Sequence, residues 1–114
     1  MIQMHLLLIQ VYTEILPTIR EIGKKHGYAI AVHGSITRDF DLIAVPWIDE
    51  VSHPITLVDE ILETLGKAKH NKDIHNKKEI KPNHRIAYDI QLGMGLYIDL
   101  SVVYFGDVHD KKAD

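Results

Sequence analysis

Apolar residues recur at helical spacing over the first part of the chain, from about Leu6 to His26. Charged residues lie off an apolar stripe that consists of Leu8, Val11, Ile15, Ile19 and Ile22. Pro17 interrupts the pattern and should either kink this helix or begin a second one. Gly27 supplies a stop after a basic last turn. The pattern predicts a packing helix near residues 8–26.

Two short apolar runs after this helix have the character of strands. Tyr28 to Val32 is apolar throughout, and Asp39 to Val45 is closed by Pro46. Because the link between the runs is short, we expect them to form an antiparallel hairpin.

A second amphipathic helix is predicted over residues 56–66. Its apolar face consists of Leu57, Val58, Ile61, Leu62 and Leu65. Thr56 is the expected N-cap, Asp59 follows at the spacing of a capping box, and Gly66 ends the helix.

Two further strands, Arg85 to Leu92 and Leu96 to Phe105, are joined by a glycine-containing link centred on Met94. Asp89 and Asp99 each lie five residues from Met94, so a symmetric link places them directly opposite. Paired like charges destabilise a sheet. Either a cation bridges them, or one is protonated, or a bulge shifts the register and separates them.

These elements predict an α+β fold in one domain over residues 1–114. We expect a mixed, mainly antiparallel sheet of four strands, with both helices packed on one face. The opposite, exposed face would then carry Asp39, Asp41 and Asp99, because alternate residues of a strand share a face.

The segment at about 67–85 is rich in lysine and contains scattered histidines. It is either a solvated loop or a basic arm that closes over a phosphate-bearing substrate. As an interaction segment, the same arm would recognise a protein or nucleic-acid acceptor.

Composition limits the classes of protein that this chain can belong to. A length of 114 residues suffices for an ordinary core, and a formal charge of −3 gives no general attraction to nucleic acid or anionic membrane. With 0 cysteines there is neither a disulfide framework nor a thiolate metal site. The apolar N-terminus carries no basic leader and is too short to span a bilayer. We therefore expect a cytoplasmic protein without a membrane partner, and a homo-oligomer is compatible with this reading.

Asp39 and Asp41 carry the chemistry that the sequence suggests most strongly. They point the same way on one strand and repel each other unless a cation lies between them, and Mg²⁺ prefers carboxylate oxygens. Asp99, inside a strongly apolar strand, would complete such a site. The Gly34-Ser35 turn and Arg38 would contact phosphates.

Structural roles remain open for the same residues. Asp39 and Asp41 are alternatively a polar strand start paired with Arg38 or Arg85, and Asp99 is alternatively in an ion pair with Arg85. Ser35 is alternatively an ordinary turn residue.

The Gly34-Ser35 turn, the Asp39-Phe40-Asp41-Leu42 run and the later Asp99 strand together resemble the polymerase-beta-like nucleotidyltransferase superfamily. The resemblance covers about residues 11–105, and the order of helices and strands agrees with that family's minimal core. It implies that Asp39, Asp41 and Asp99 are catalytic metal ligands for Mg²⁺, and that Gly34, Ser35 and Arg38 bind the nucleotide. Only three residues separate Ser35 from Asp39, fewer than the family usually has there.

The resemblance implies transfer of a nucleoside monophosphate from a nucleoside triphosphate to an acceptor. The alternative is a catalytically inactive protein of the same fold that acts as a binding or regulatory module.

Overall fold

The structure is a computed structural model that describes residues 2–34, 40–65, 77–93 and 96–107. Its elements are α1 (Ile2–Lys25), β1 (Tyr28–Val32), β2 (Phe40–Pro46), α2 (Pro54–Thr64), β3 (Lys77–Lys81), β4 (Arg85–Gly93) and β5 (Leu96–Val103).

Helix α1 runs as one element past Pro17, so the predicted start of a second helix at that residue is not present. Proline at this position cannot donate to the carbonyl of Thr13. Both Pro17 and Thr13 are exposed, so that carbonyl lies on the solvent side, where water can satisfy it. The buried side of the helix presents Tyr12, Ile19 and Ile22 to the core.

Helix α2 begins two residues earlier than predicted, and its N-cap is His53 rather than Thr56. His53 Nδ1 accepts from the backbone N–H of Ile55 at 3.1 Å, and Pro54 occupies the first helical position. Proline is favoured there because its missing N–H is not needed.

The described strands form one five-stranded mixed sheet in the order β1-β2-β5-β4-β3. β2 and β5 are parallel, and the other three neighbouring pairs are antiparallel. The predicted hairpin of β1 and β2 is confirmed as an antiparallel pair. The α+β class and the mainly antiparallel sheet agree with the prediction.

The predicted number of four strands is wrong, because residues 77–81 of the expected basic loop form β3 at one edge of the sheet. This strand reads Lys-Lys-Glu-Ile-Lys and has none of the apolar alternation that marks a half-buried strand. Charged residues are typical of an edge strand, where they discourage pairing with another chain.

One face of the sheet is buried under both helices. Leu42, Leu100 and Tyr88 lie in register across β2, β5 and β4 on this face and are almost fully buried. They belong to a single hydrophobic cluster with side chains of α1 and α2. The other face, called here the open face, carries the side chains of Asp41, Asp99 and the residues that alternate with the core positions.

No helix within the described ranges combines the length and the apolar character needed to cross a membrane.

Candidate functional site

Three carboxylates lie in one row across the middle of the open face. Asp41 of β2 is the register partner of Asp99 on β5, and Asp99 is in turn the partner of Asp89 on β4. We call Asp41, Asp99 and Asp89 the carboxylate row. The predicted pairing of Asp89 with Asp99 is confirmed. The register shift of this hairpin lies between Gln91 and Gly93, closer to the turn, so it does not separate the two aspartates.

The carboxylate row lines a cavity of about 750 Å³ on the open face. The same cavity is lined by His33, Lys81, Arg85 and Ser101. It therefore combines a central strip of negative charge with cationic groups from the β3–β4 side and a histidine from the β1 side.

Gly34 brings the backbone close to the carboxylate of Asp41. Its φ of 81° lies in the left-handed region that favours glycine. A Cβ at this position would lie 3.4 Å from Asp41 Oδ2. The neighbouring His33 donates its backbone N–H to the carbonyl of Asp41 at 2.9 Å. Gly34 therefore lies beside the carboxylate of Asp41, and His33 is hydrogen-bonded to the backbone of the same aspartate.

The surroundings of Asp99 raise the pKa of its carboxyl group above the ordinary value. Desolvation in the cavity is the largest cause, followed by the charges of Asp41 and then Asp89, while Lys81 and His33 oppose the rise. Asp99 as a residue still reaches solvent. The like charges on both neighbouring strands therefore contribute to the raised pKa of Asp99 together with burial.

The described contacts do not support a structural ion pair between Arg85 and Asp99. Within the described part of the chain, Arg85 makes no ion pair with any carboxylate. Asp89 accepts a hydrogen bond from Gln91 Nε2 at 3.2 Å. Among the described residues, neither Asp41 nor Asp99 accepts a hydrogen bond from a side chain, so Asp89 is the one carboxylate of the row with such a donor.

Three of the predicted site residues lie outside the described residues, namely Ser35, Arg38 and Asp39. Their predicted roles, and the predicted pairing of Asp39 with Asp41 on one face, are not addressed by the structure. The part of the basic segment at residues 66–76 also lies outside the described ranges. Of the predicted site residues, Gly34, Asp41 and Asp99 are described, and they lie close together.

A metal ion would fit pairs of this row rather than the whole row. Neighbouring strands are about 4.8 Å apart, so Asp41 and Asp89 are separated by about 10 Å, too far for one ion with Mg–O bonds of about 2.1 Å. In agreement, no group of three or more His, Cys, Asp or Glu side chains among the described residues is arranged to hold a metal ion. Asp41 with Asp99 supplies two adjacent carboxylates, the donor type that Mg²⁺ prefers.

Lys81 and Arg85 belong to the segment that is predicted to be either a solvated loop or a basic arm, but the sequence does not single out either of them as a site residue. The sequence nevertheless contains the information that places Arg85 near the site. Arg85 is four residues from Asp89 on one predicted strand, so both side chains lie on the same face of the sheet. The position of Lys81 beside Arg85 can be deduced only once β3 is known, because the two residues are register partners on β3 and β4.

A second polar cluster lies away from the carboxylate row and fastens α1 to α2. His26 Nδ1 is 2.7 Å from Ser52 Oγ, and His26 Nε2 is 2.7 Å from Glu60 Oε1. Lys25 Nζ also donates to Glu60 at 2.6 Å, and these hydrogen bonds lower the pKa of Glu60. Ser52 N–H donates to the carbonyl of His26, so the serine is tied to the helix end through both backbone and side chain. The cluster holds elements together.

Comparisons with protein-family models, with curated proteins and with solved structures found none that matches this chain.

Proposed function

We propose that the open face is a Mg²⁺-dependent nucleotidyl-transfer site, which moves a nucleoside monophosphate from a nucleoside triphosphate to an acceptor hydroxyl. The observation that carries this proposal is the alignment of Asp41 with Asp99 on adjacent parallel strands, directly beside Gly34. A structural role explains the arrangement poorly, because two adjacent carboxylates that form no ion pair among the described residues destabilise the sheet.

The carboxylate oxygens of Asp41 and Asp99 are of the donor type that Mg²⁺ prefers. Asp41 and Asp99 would hold the ion, with Asp39 as the further ligand that the sequence resemblance implies. When bound, Mg²⁺ would neutralise charge on the phosphates and help to orient them. The Gly34-Ser35 turn and Arg38 would bind the phosphates of the donor.

Asp99 lies in the middle of the carboxylate row, and we assign to it the proton that the reaction releases. The acceptor oxygen attacks the α-phosphorus, the bond from that phosphorus to the bridging oxygen breaks, and pyrophosphate leaves with the electron pair. The acceptor proton passes to a carboxylate oxygen of Asp99.

The second candidate is a catalytically inactive protein of the same fold that serves as a binding or regulatory module. It is favoured by the lack of a cluster of three metal-ligating side chains among the described residues. Such a module would retain the cavity and its charges without turnover.

Calorimetric titration of ATP, GTP, CTP and UTP, each with and without MgCl₂, tests the proposal. We expect one of them to bind in a Mg²⁺-dependent way to the wild type, and at least about tenfold more weakly to Asp41→Asn. Glu79→Gln is the matched control, since Glu79 lines the same cavity and the change also removes one negative charge. It should leave binding unchanged.

Pyrophosphate release separates the two candidates. Mg²⁺-dependent binding with release that is lost in Asp99→Asn supports the transferase. Binding without release, over a panel of hydroxyl-bearing acceptors, supports the inactive module. Absence of Mg²⁺-dependent nucleotide binding to the wild type overturns the proposed transferase.

A further inference from the structure

Two cations, Lys81 and Arg85, stand at the far end of the cavity that contains the carboxylate row. They are register partners on β3 and β4, at the mouth of the turn that joins these strands. Arg85 is also the register partner of Val103 on β5. Their places on the sheet are therefore fixed by backbone pairing on both sides of β4.

The turn between these strands is itself held in place. Asn83 and His84 both adopt positive φ, at 65° and 59°, which allows the chain to reverse within three residues. The carbonyl of His84 accepts a hydrogen bond from Tyr104 N–H at 2.8 Å. The centre of the His84 imidazole ring lies 4.5 Å from the centre of the Phe105 ring. The two cations are thus presented by an anchored turn.

Lys81 and Arg85 face the same cavity as the carboxylates but lie beyond the row. Four residues of β4 separate Arg85 from Asp89, which is about 13 Å of strand. The side chain of Lys81 reaches far enough toward the row to act electrostatically on Asp99. The cavity therefore has an acidic centre and a basic end.

The positive charge at this end is only partly compensated. Lys81 Nζ lies 3.5 Å from Glu79 Oε1, and the glutamate side chain is 71% exposed. Arg85 is half-buried and makes no ion pair with a carboxylate among the residues that the structure describes. A guanidinium in this situation is available for an anion, and its planar fork suits the bidentate binding of phosphate oxygens.

We propose that Arg85, assisted by Lys81, forms a subsite for a phosphate group, and that this group belongs to the acceptor of the transfer reaction. The donor phosphates would lie at the opposite side, near Gly34 and Asp41, which leaves the β3–β4 side for the second substrate. The acceptor is thus a phosphate-bearing molecule whose hydroxyl reaches Asp99. Its assignment as acceptor rests on the proposed function, whereas phosphate binding at Arg85 does not.

Titration with inorganic phosphate in the absence of metal tests the subsite by itself, with chemical shifts as the readout. We expect saturable binding to the wild type and at least about tenfold weaker binding to Arg85→Gln. Arg20→Gln is the matched control, because Arg20 lies outside this cavity and donates to the carbonyl of Ile30 on β1. Acetate at equal ionic strength should bind more weakly than phosphate, since it offers fewer oxygens and less charge.

Asp41→Asn distinguishes this subsite from the metal site. Phosphate should bind to this variant at least as well as to the wild type, because one repelling charge has been removed. Equal weakening by Arg85→Gln and Arg20→Gln, or absence of saturable phosphate binding to the wild type, overturns the subsite. Phosphate binding that persists when no nucleotide binds with Mg²⁺ overturns the transferase but supports the subsite.

Discussion

Asp99 is a carboxylate with a carboxylate beside it on each neighbouring strand. Its pKa is raised by desolvation and by the charges of Asp41 and Asp89, so the folded protein disfavours its ionised form. For such an acid the destabilisation is absent below the ordinary value of 3.8, grows as the pH rises toward the raised pKa, and is complete above it. The residue that is most suggestive of function is therefore one that costs stability.

Asp99→Asn should stabilise the protein at a pH above the raised pKa of Asp99. We expect the free energy of unfolding to increase by about 0.5 kcal/mol, at the low end for cross-strand pairs because solvent screens an exposed group. The gain should fall with added salt and vanish in acid, where Asp99 is protonated in the wild type. Urea denaturation at several pH values measures it.

Asp49→Asn makes the same change of charge at an exposed loop position and should change stability little. If Asp99→Asn destabilises the protein while Asp49→Asn does not, the Asp99 carboxylate has a structural role and its charge does not lower the stability.

At the scale of elements, the sequence predicts the pairing of β4 with β5 in the register that is observed from Arg85 to Gln91, because pairing across a short link is a local property. It does not predict the register shift between Gln91 and Gly93. Asp89 and Asp99 could be placed opposite each other by counting alone. The strand β3 could not be predicted in this way, since its single apolar residue, Ile80, gives no alternation. Its partner strand and its edge position decide its structure.

The N-cap of α2 is a second feature that the sequence does not predict correctly. Threonine is a common N-cap and histidine is not, so Thr56 was the expected residue. The feature that decides the matter is Pro54, which is favourable at the first helical position and therefore moves the cap to His53. The roles of Asp39, Ser35 and Arg38 stay predictions, since these residues lie outside the described ranges.

His53 connects the start of α2 to the segment after β5, so its substitution should remove hydrogen bonds from both segments. Its Nδ1 accepts from Ile55 N–H, and therefore its Nε2 carries the proton and donates to the carbonyl of Asp107 at 3.1 Å. We expect His53→Ala to lower the free energy of unfolding by about 1 kcal/mol.

Thermal unfolding followed by circular dichroism measures the effect of this cap. His53→Asn is the matched control, because asparagine can also accept from the backbone of the first turn, and it should recover part of the loss. Equal stability of the alanine variant and the wild type would show that the cap contributes nothing.

For the molecule as a whole, the two faces of the sheet differ in character: one forms the hydrophobic core, and the other lines the cavity. The buried face joins α1, α2 and the strands in one hydrophobic cluster, while the cavity and its charges occupy the open face. Successive residues of β5 therefore point to opposite faces of the sheet. Asp99 belongs to the cavity, and Leu100 is fully buried at the centre of the core. Substitutions of the open-face aspartates should consequently leave the protein folded.

Leu100→Ala should lower the free energy of unfolding by about 2–5 kcal/mol, because it removes a fully buried side chain in contact with a rigid core. Leu7→Ala is the matched control on α1, where the leucine is 56% exposed, and it should cost little. Because the helices and the sheet share one core, denaturation followed by far-ultraviolet circular dichroism and by Trp47 fluorescence should give coincident transitions in every variant. Separate transitions, or equal losses in the two leucine variants, would contradict a single cooperative core behind the open face.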